Sequence, residues 1–256
     1  MKCATIDPHA QPWSGGPAGP AGVLLCHGFT GSPASMRPLA EFLADAGLRV
    51  ELPRLPGHGT DWRELQLTNW TDWYHHVERS FLALARECRQ VFVVGLSMGG
   101  ALALRLAENH PVAGLVLVNP AIGTDDRSFA ALGTVQHLKA SLAAIGNDIA
   151  KPGVDEHAYP RTPLHAAHSM TLLWREVVRD LSEVDCDVLL FTSRVDHCVD
   201  GASARILAET LPRLERVVLE RSHHVATLDH DADLIQQRSL AFVEAHRGTS
   251  MGGAQQ

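Results

Sequence analysis

The residues best suited to chemistry are Gly95-Leu96-Ser97-Met98-Gly99, a G-x-S-x-G run. A serine hydroxyl is a weak nucleophile until a neighbouring base takes its proton. A serine raised on a tight strand-to-helix turn is well exposed for attack on a carbonyl carbon. VFVV before the run reads as a buried strand and ALALRLAEN after it as a helix, which is the context such a turn requires. Glycine two residues before and two after the serine relieves the crowding of so sharp a turn. Ser97 is therefore the expected nucleophile.

Attack on a carbonyl generates an oxyanion, which needs two N–H donors aimed at it. One is expected from Met98, directly after the serine. The other is expected from Phe29 in His27-Gly28-Phe29-Thr30-Gly31, the loop after the first core strand. Neither is proline, so both amides exist. His27 is read as a brace for this loop rather than as a base. The acid and the base should follow in the order Ser, Asp, His, each after a later strand. Asp196 follows DVLLFTS and is the expected acid; Asp187 opens that strand at its other end, and Asp200 lies farther from it. RVVLE is followed by Arg221-Ser222-His223-His224-Val225. Position alone does not separate His223 from His224, but Val225 and Leu228 follow His224 with helix-like spacing and favour it as the base. Asp196 would then orient the imidazole and stabilise its cation.

The elements that must hold these groups alternate along the chain. Strands are expected at 23–28, 48–53, 91–95, 115–119, 187–193 and 216–220, with helices at 32–47, 69–88, 98–110, 201–210 and 232–246. This rhythm implies an α/β fold, a mostly parallel central sheet with helices on both faces. Between 121 and 184 no strand is expected. Phe129, Leu132, Val135, Leu138, Leu142 and Ile145 form one helical stripe, and a second helix should start with Thr162 as N-cap and Pro163 at its first position. The expected organisation is a core at 1–120 and 161–247, a small inserted helical cap at 121–160 above the carboxyl ends of the strands, and a frayed tail at 248–256.

At 256 residues the chain can bury a large core. Its net charge of −7 and its lack of basic runs argue against a nucleic-acid partner. No apolar run reaches bilayer length, and the N-terminus has no signal-like apolar core, so a cytoplasmic location is expected. Transient contact with a membrane surface through the cap remains compatible with this. The five cysteines are scattered and read as free thiols, and nothing near Cys198 activates it. His165/His168 and His75/His76 lack the company of a metal-ligand motif. There is no dinucleotide fingerprint or P-loop; no metal and no cofactor are implied.

HGFTGSP, SMRPLAEFLADAG, LPRLPGHGT, GLSMGG and SHHVATLD together resemble the bacterial monoacylglycerol lipase and carboxylesterase family of α/β-hydrolases, from about residue 13 to 246. The resemblance implies a sheet of eight strands or slightly fewer, a Ser97–Asp196–His224 triad, and Phe29 and Met98 as oxyanion amides. The cap segment AAIGNDIAKPGVDEHAY is similar to the monoacylglycerol lipases in particular. It implies that Glu156 faces the glycerol hydroxyls and that Ile145 lines an acyl tunnel. His223 departs from the Gly or Tyr often found there. The implied activity is hydrolysis of carboxylic esters with one medium or long acyl chain, monoacylglycerol first. The competing readings are a broader short-chain carboxylesterase and a non-catalytic ligand receptor of the same fold. A dehalogenase would need Asp at position 97.

Overall fold

A computed structural model describes residues 5–248. Cys3 and nearly all of the expected tail lie outside them. In chain order the strands are β1 (Trp13–Gly15), β2 (Ala21–Cys26), β3 (Arg49–Leu52), β4 (Gln90–Leu96), β5 (Gly114–Val118), β6 (Ser141–Ala143), β7 (Arg161–Pro163), β8 (Val188–Ser193) and β9 (Leu214–Leu219). The α-helices are α1 (Arg37–Asp45), α2 (Trp62–Leu65), α3 (Trp70–Glu87), α4 (Met98–Asn109), α5 (Leu132–Val135), α6 (Leu164–Asp180), α7 (Ala202–Thr210) and α8 (Ala232–His246).

Seven strands form the main sheet in the order β1-β3-β2-β4-β5-β8-β9, all parallel except the antiparallel edge strand β1. Among the described residues, the segment before β2 adds the single strand β1 to the sheet. Successive residues of a strand face opposite sides of the sheet, so one strand feeds two cores. Leu24 and Cys26 of β2 pack with Trp73, Val77 and Phe81 of α3 and with Leu173 and Val177 of α6. Val23 and Leu25, one residue out of step, pack with Leu39 and Leu43 of α1 and with Ile235 and Val243 of α8. Burial on both faces explains why the central strands read as continuous apolar runs. Asn69 caps α3 through a reciprocal box with Asp72, which fixes where that helix starts.

Parallel pairing brings the carboxyl ends of the strands to one edge. Cys26 is in register with Gly95, Leu96 with Val118, Val118 with Phe191, and Ser193 with Leu219. The residues that follow β2, β4, β5, β8 and β9 therefore meet above the same edge.

The stretch from 121 to 163 differs from the expected helical stripe. It holds a 3-10 turn at Arg127–Ala131, the single turn α5, and an antiparallel pair in which Ser141, Leu142 and Ala143 of β6 oppose Pro163, Thr162 and Arg161 of β7. Gly133, Thr134 and Val135 are weak helix formers, and beyond them the stripe has nothing to pack against: Leu138 is 79% exposed and Ile145 65%. Ser141 instead accepts a 2.7 Å bond from Arg161 Nε. Thr162 and Pro163 belong to β7, with Pro163 as the N-cap of α6, so that helix starts one residue later than its turn chemistry suggests.

Candidate active site

Ser97 is the N-cap of α4, with φ 55° and ψ −119°. A non-glycine residue in this region stores on the order of 1–3 kcal/mol of strain. The surroundings impose it: the Ser97 N–H donates to Val118 O at 3.0 Å, and Ser97 O accepts from Gly100 and Ala121. The flanking glycines are required by close approach. A Cβ on Gly95 would lie 2.4 Å from Gly99 O, and one on Gly99 would lie 2.0 Å from Cys26 O. Thr30 and Asn119, after β2 and β5, also have positive φ, so strained backbone gathers at this edge of the sheet.

The loop after β2 meets the serine directly. A Cβ on Gly28 would be 3.3 Å from Ser97 Cβ. The N–H groups of Phe29 and Met98 donate to no other described group. His27, fully buried, receives the Leu55 N–H on Nε2 at 3.1 Å, while Nδ1 lies 3.0 Å from Gly28 O. Those two bonds require a neutral ring with its proton on Nδ1, and burial pushes its pKa down to about 4. His27 is thus a brace between β2 and the 53–58 loop. The buried ring of His58 lies edge-on to it, 5.0 Å away.

His224 Nδ1 is 2.8 Å from Asp196 Oδ2, and both side chains are 9% exposed. The other oxygen of Asp196 accepts the N–H groups of Cys198 and Val199, each at 2.8 Å, so the carboxylate cannot rotate freely. Asp200 is turned away, bonded to Thr124, Asp125 and Ala202. Asp187 is within 3.7 Å of His246. The His223 ring points at Asp148 rather than Asp196.

The loop around His224 is held by side chains that sequence patterning did not single out. Asn119 Nδ2 donates to His224 O at 2.8 Å, and Ser193 Oγ donates to His223 O at 2.7 Å. Asp229 accepts the His223 N–H, together with those of Ala150 and Lys151 in the cap. Asp148 accepts the His224 and His197 N–H groups on Oδ2, and its own carbonyl accepts the Val225 N–H. Polar residues among irregular backbone carry no periodic signal. The one hint was that Asp229 ends the SHHVATLD run and Asn119 ends a strand.

Glu156 is buried, with its carboxyl held above the usual range chiefly by desolvation. Its Oε1 accepts the Asn147 N–H at 2.7 Å, and Asn147 Oδ1 returns a bond to the Glu156 N–H. Oε2 lies 3.7 Å from where a Gly31 side chain would begin, so the carboxyl faces the Phe29 loop. Tyr159 clamps this part of the cap to the core, donating to Gly57 O and accepting the Thr60 N–H. Ile145, by contrast, remains on an exposed face. Burial and nearby carboxylates hold the Cys198 thiol well above its usual pKa, which disfavours its thiolate form.

Comparison with known proteins agrees with this architecture. The chain is 42% identical over 233 residues to the thermostable monoacylglycerol lipase of Bacillus sp. (strain H-257), covering 90% of this chain and 93% of that one. It is 26% identical over 229 residues to a carboxylesterase of Bacillus subtilis (strain 168), covering 88% and 93%. Among solved structures, one described with LipS and LipT, two metagenome-derived lipolytic enzymes, superposes with a TM-score of 0.91 at 39% identity, covering 94% of this chain and all of that one. Residues 23–237 match the model of the alpha/beta hydrolase family, and the chain belongs to that family.

Proposed function

We propose that the chain hydrolyses carboxylic esters through an acyl-enzyme on Ser97, with monoacylglycerols of medium to long acyl chain as the preferred substrates. The observation that carries the reading is the 2.8 Å His224–Asp196 pair on the sheet edge that also bears the strained Ser97 turn. With Nδ1 committed to Asp196, Nε2 is the nitrogen left to receive a proton. Ser97 Oγ attacks the ester carbonyl carbon while His224 takes the hydroxyl proton. The carbonyl oxygen becomes an oxyanion facing the Phe29 and Met98 N–H groups. Collapse breaks the carbon–oxygen bond to the alcohol, which leaves with the proton from His224. Water then attacks the acyl-serine, again giving its proton to His224. The second collapse releases the carboxylic acid and returns the proton to Ser97.

The preference for a monoacylglycerol rests on likeness to the Bacillus lipase and on Glu156, a buried acceptor beside the Phe29 loop that could desolvate glycerol hydroxyls at modest cost. Leu138, Leu142 and Ile145 are exposed apolar side chains of the 121–160 segment, each available to a lipid surface. Among the described residues no helix is long and apolar enough to cross a membrane. A cytoplasmic location is part of the proposal. The direct test is labelling with a fluorophosphonate. One site should react, and Ser97→Ala should abolish both labelling and ester hydrolysis; labelling that persists in the variant would remove Ser97 from the reaction.

A further inference from the structure

Outside the reacting groups, three side chains from three separate segments converge on one point. Asp148 belongs to the cap, His197 follows Asp196, and His223 precedes His224. His197 Nδ1 lies 2.7 Å from Asp148 Oδ1, and His223 Nδ1 lies 3.3 Å from the same oxygen. The three ligand atoms are all within 4.8 Å of one another. The two imidazoles meet edge to face at 87°, with centroids 4.8 Å apart, so they converge without stacking.

This geometry is close to a coordination shell. Bonds of 2.0–2.1 Å to a tetrahedral ion place neighbouring ligand atoms about 3.3 Å apart. Small side-chain movements would bring all three atoms to that spacing. The carboxylate is also oriented in advance. Its side chain is 8% exposed, and Oδ2 is occupied by the His197 and His224 N–H groups, at 3.0 and 3.2 Å, which leaves Oδ1 turned toward the two rings. Such outer bonds are what fix a metal ligand in productive geometry. His197 is 57% exposed, so an ion can enter from solvent.

We propose that Asp148, His197 and His223 bind one late first-row divalent cation of the zinc type through Oδ1 and the two Nδ1 atoms, with water completing the shell. Two imidazoles and one carboxylate favour zinc, cobalt, nickel or copper over magnesium and calcium, which take oxygen ligands. On binding, each ring coordinates through an unprotonated Nδ1 and keeps one proton on Nε2, so a neutral ring changes tautomer and only a cationic ring gives a proton to solvent. The ion ties the cap to both loops that carry the proposed base and acid, which stabilises the fold. It also places positive charge one residue from His224, opposing the imidazolium that hydrolysis must form. This last effect rests on the proposed reaction; the binding does not.

The test uses the full chain freed of metal by a chelator. Calorimetric titration should show one tight equivalent of Zn2+ and none of Mg2+, and Zn2+ should raise the melting temperature. His223→Phe and His197→Ala should each weaken Zn2+ binding by about tenfold or more and remove the thermal shift. Zn2+ should slow ester hydrolysis reversibly in the wild type and much less in His223→Phe, each measured against its own metal-free rate. Unchanged affinity, an unchanged thermal shift or equal slowing in the variants would overturn the site. Absence of ester hydrolysis in every form, with Zn2+ binding intact, would instead count against the functional reading alone.

Discussion

The turn that carries Ser97 and the loop that carries His224 reach the same edge of one sheet, yet the first is shaped by side chains that are missing and the second by side chains that arrive from elsewhere. Around Ser97, backbone packs on backbone, and the space a methyl group would need at Gly95 or Gly99 is already filled by main-chain atoms. Around His224, five main-chain groups in succession are satisfied from outside the loop: by Asp229, Ser193, Asp148, Asn119 and the Asp148 carbonyl. The turn is a steric device with no tolerance for added volume. The loop is a network, and a network should degrade in steps as its members are removed.

The largest effect is expected at the turn. Gly99→Ala directs a methyl group at Cys26 O, a rigid backbone atom at the end of β2. It should cost roughly 3 kcal/mol or more, because neither backbone segment can yield. Urea melts would show the lost stability. A variant with wild-type stability would mean that the turn is not sterically closed.

Within the loop, the choice between the adjacent histidines comes next. His224 bonds Asp196, whereas the ring of His223 addresses Asp148. His224→Ala should lower kcat by about a thousandfold or more. His223→Ala should stay within roughly tenfold of the wild type. The reverse ranking would move the proton transfer to His223.

The same contrast explains what could be read from sequence. The main sheet and its helices were legible because burial on both faces writes long apolar runs, and because the G-x-S-x-G run needs its glycines at fixed spacing. The helical stripe expected at 129–145 does not form, for a physical reason. Phe129, Leu132, Val135, Leu138, Leu142 and Ile145 have helical spacing, but their outer members meet solvent, so no core enforces the helix. Asp148, Asp229 and Asn119 were silent because a side chain bonding to distant backbone leaves no local pattern. β1 is three residues long and pairs only at the edge, below what periodicity detects.

A smaller, graded effect should come from Asn119, whose Nδ2 donates to His224 O and whose Oδ1 accepts the Ser193 N–H at 2.7 Å. Its φ of 44° makes glycine the informative replacement, since Asn119→Gly deletes the bonds without adding strain. kcat should fall by roughly 10- to 100-fold with little change in KM, as expected for a base misplaced by a fraction of an ångström. A change confined to KM would assign Asn119 to substrate binding rather than to positioning.

The smallest effect is expected at Glu156, where the network reaches into the cap. Glu156 Oε1 and Asn147 Oδ1 hold each other's backbone N–H, and Asp148 extends from that clamp to the His224 loop. Burial raises the Glu156 pKa, so the folded state holds the proton more tightly than the unfolded chain. The resulting penalty is absent below the unfolded value and is incurred as pH rises through the window up to the raised folded value. Glu156→Gln keeps an acceptor for the Asn147 N–H and removes the charge. It should therefore raise Tm by on the order of 2 °C at pH 8 and leave it nearly unchanged at pH 4. The same variant should lose about tenfold in rate on a monoacylglycerol relative to a nitrophenyl ester of equal chain length, if the carboxylate serves the glycerol hydroxyls. A gain in stability with equal rates on both substrates would leave Glu156 as part of the clamp and separate it from head-group recognition.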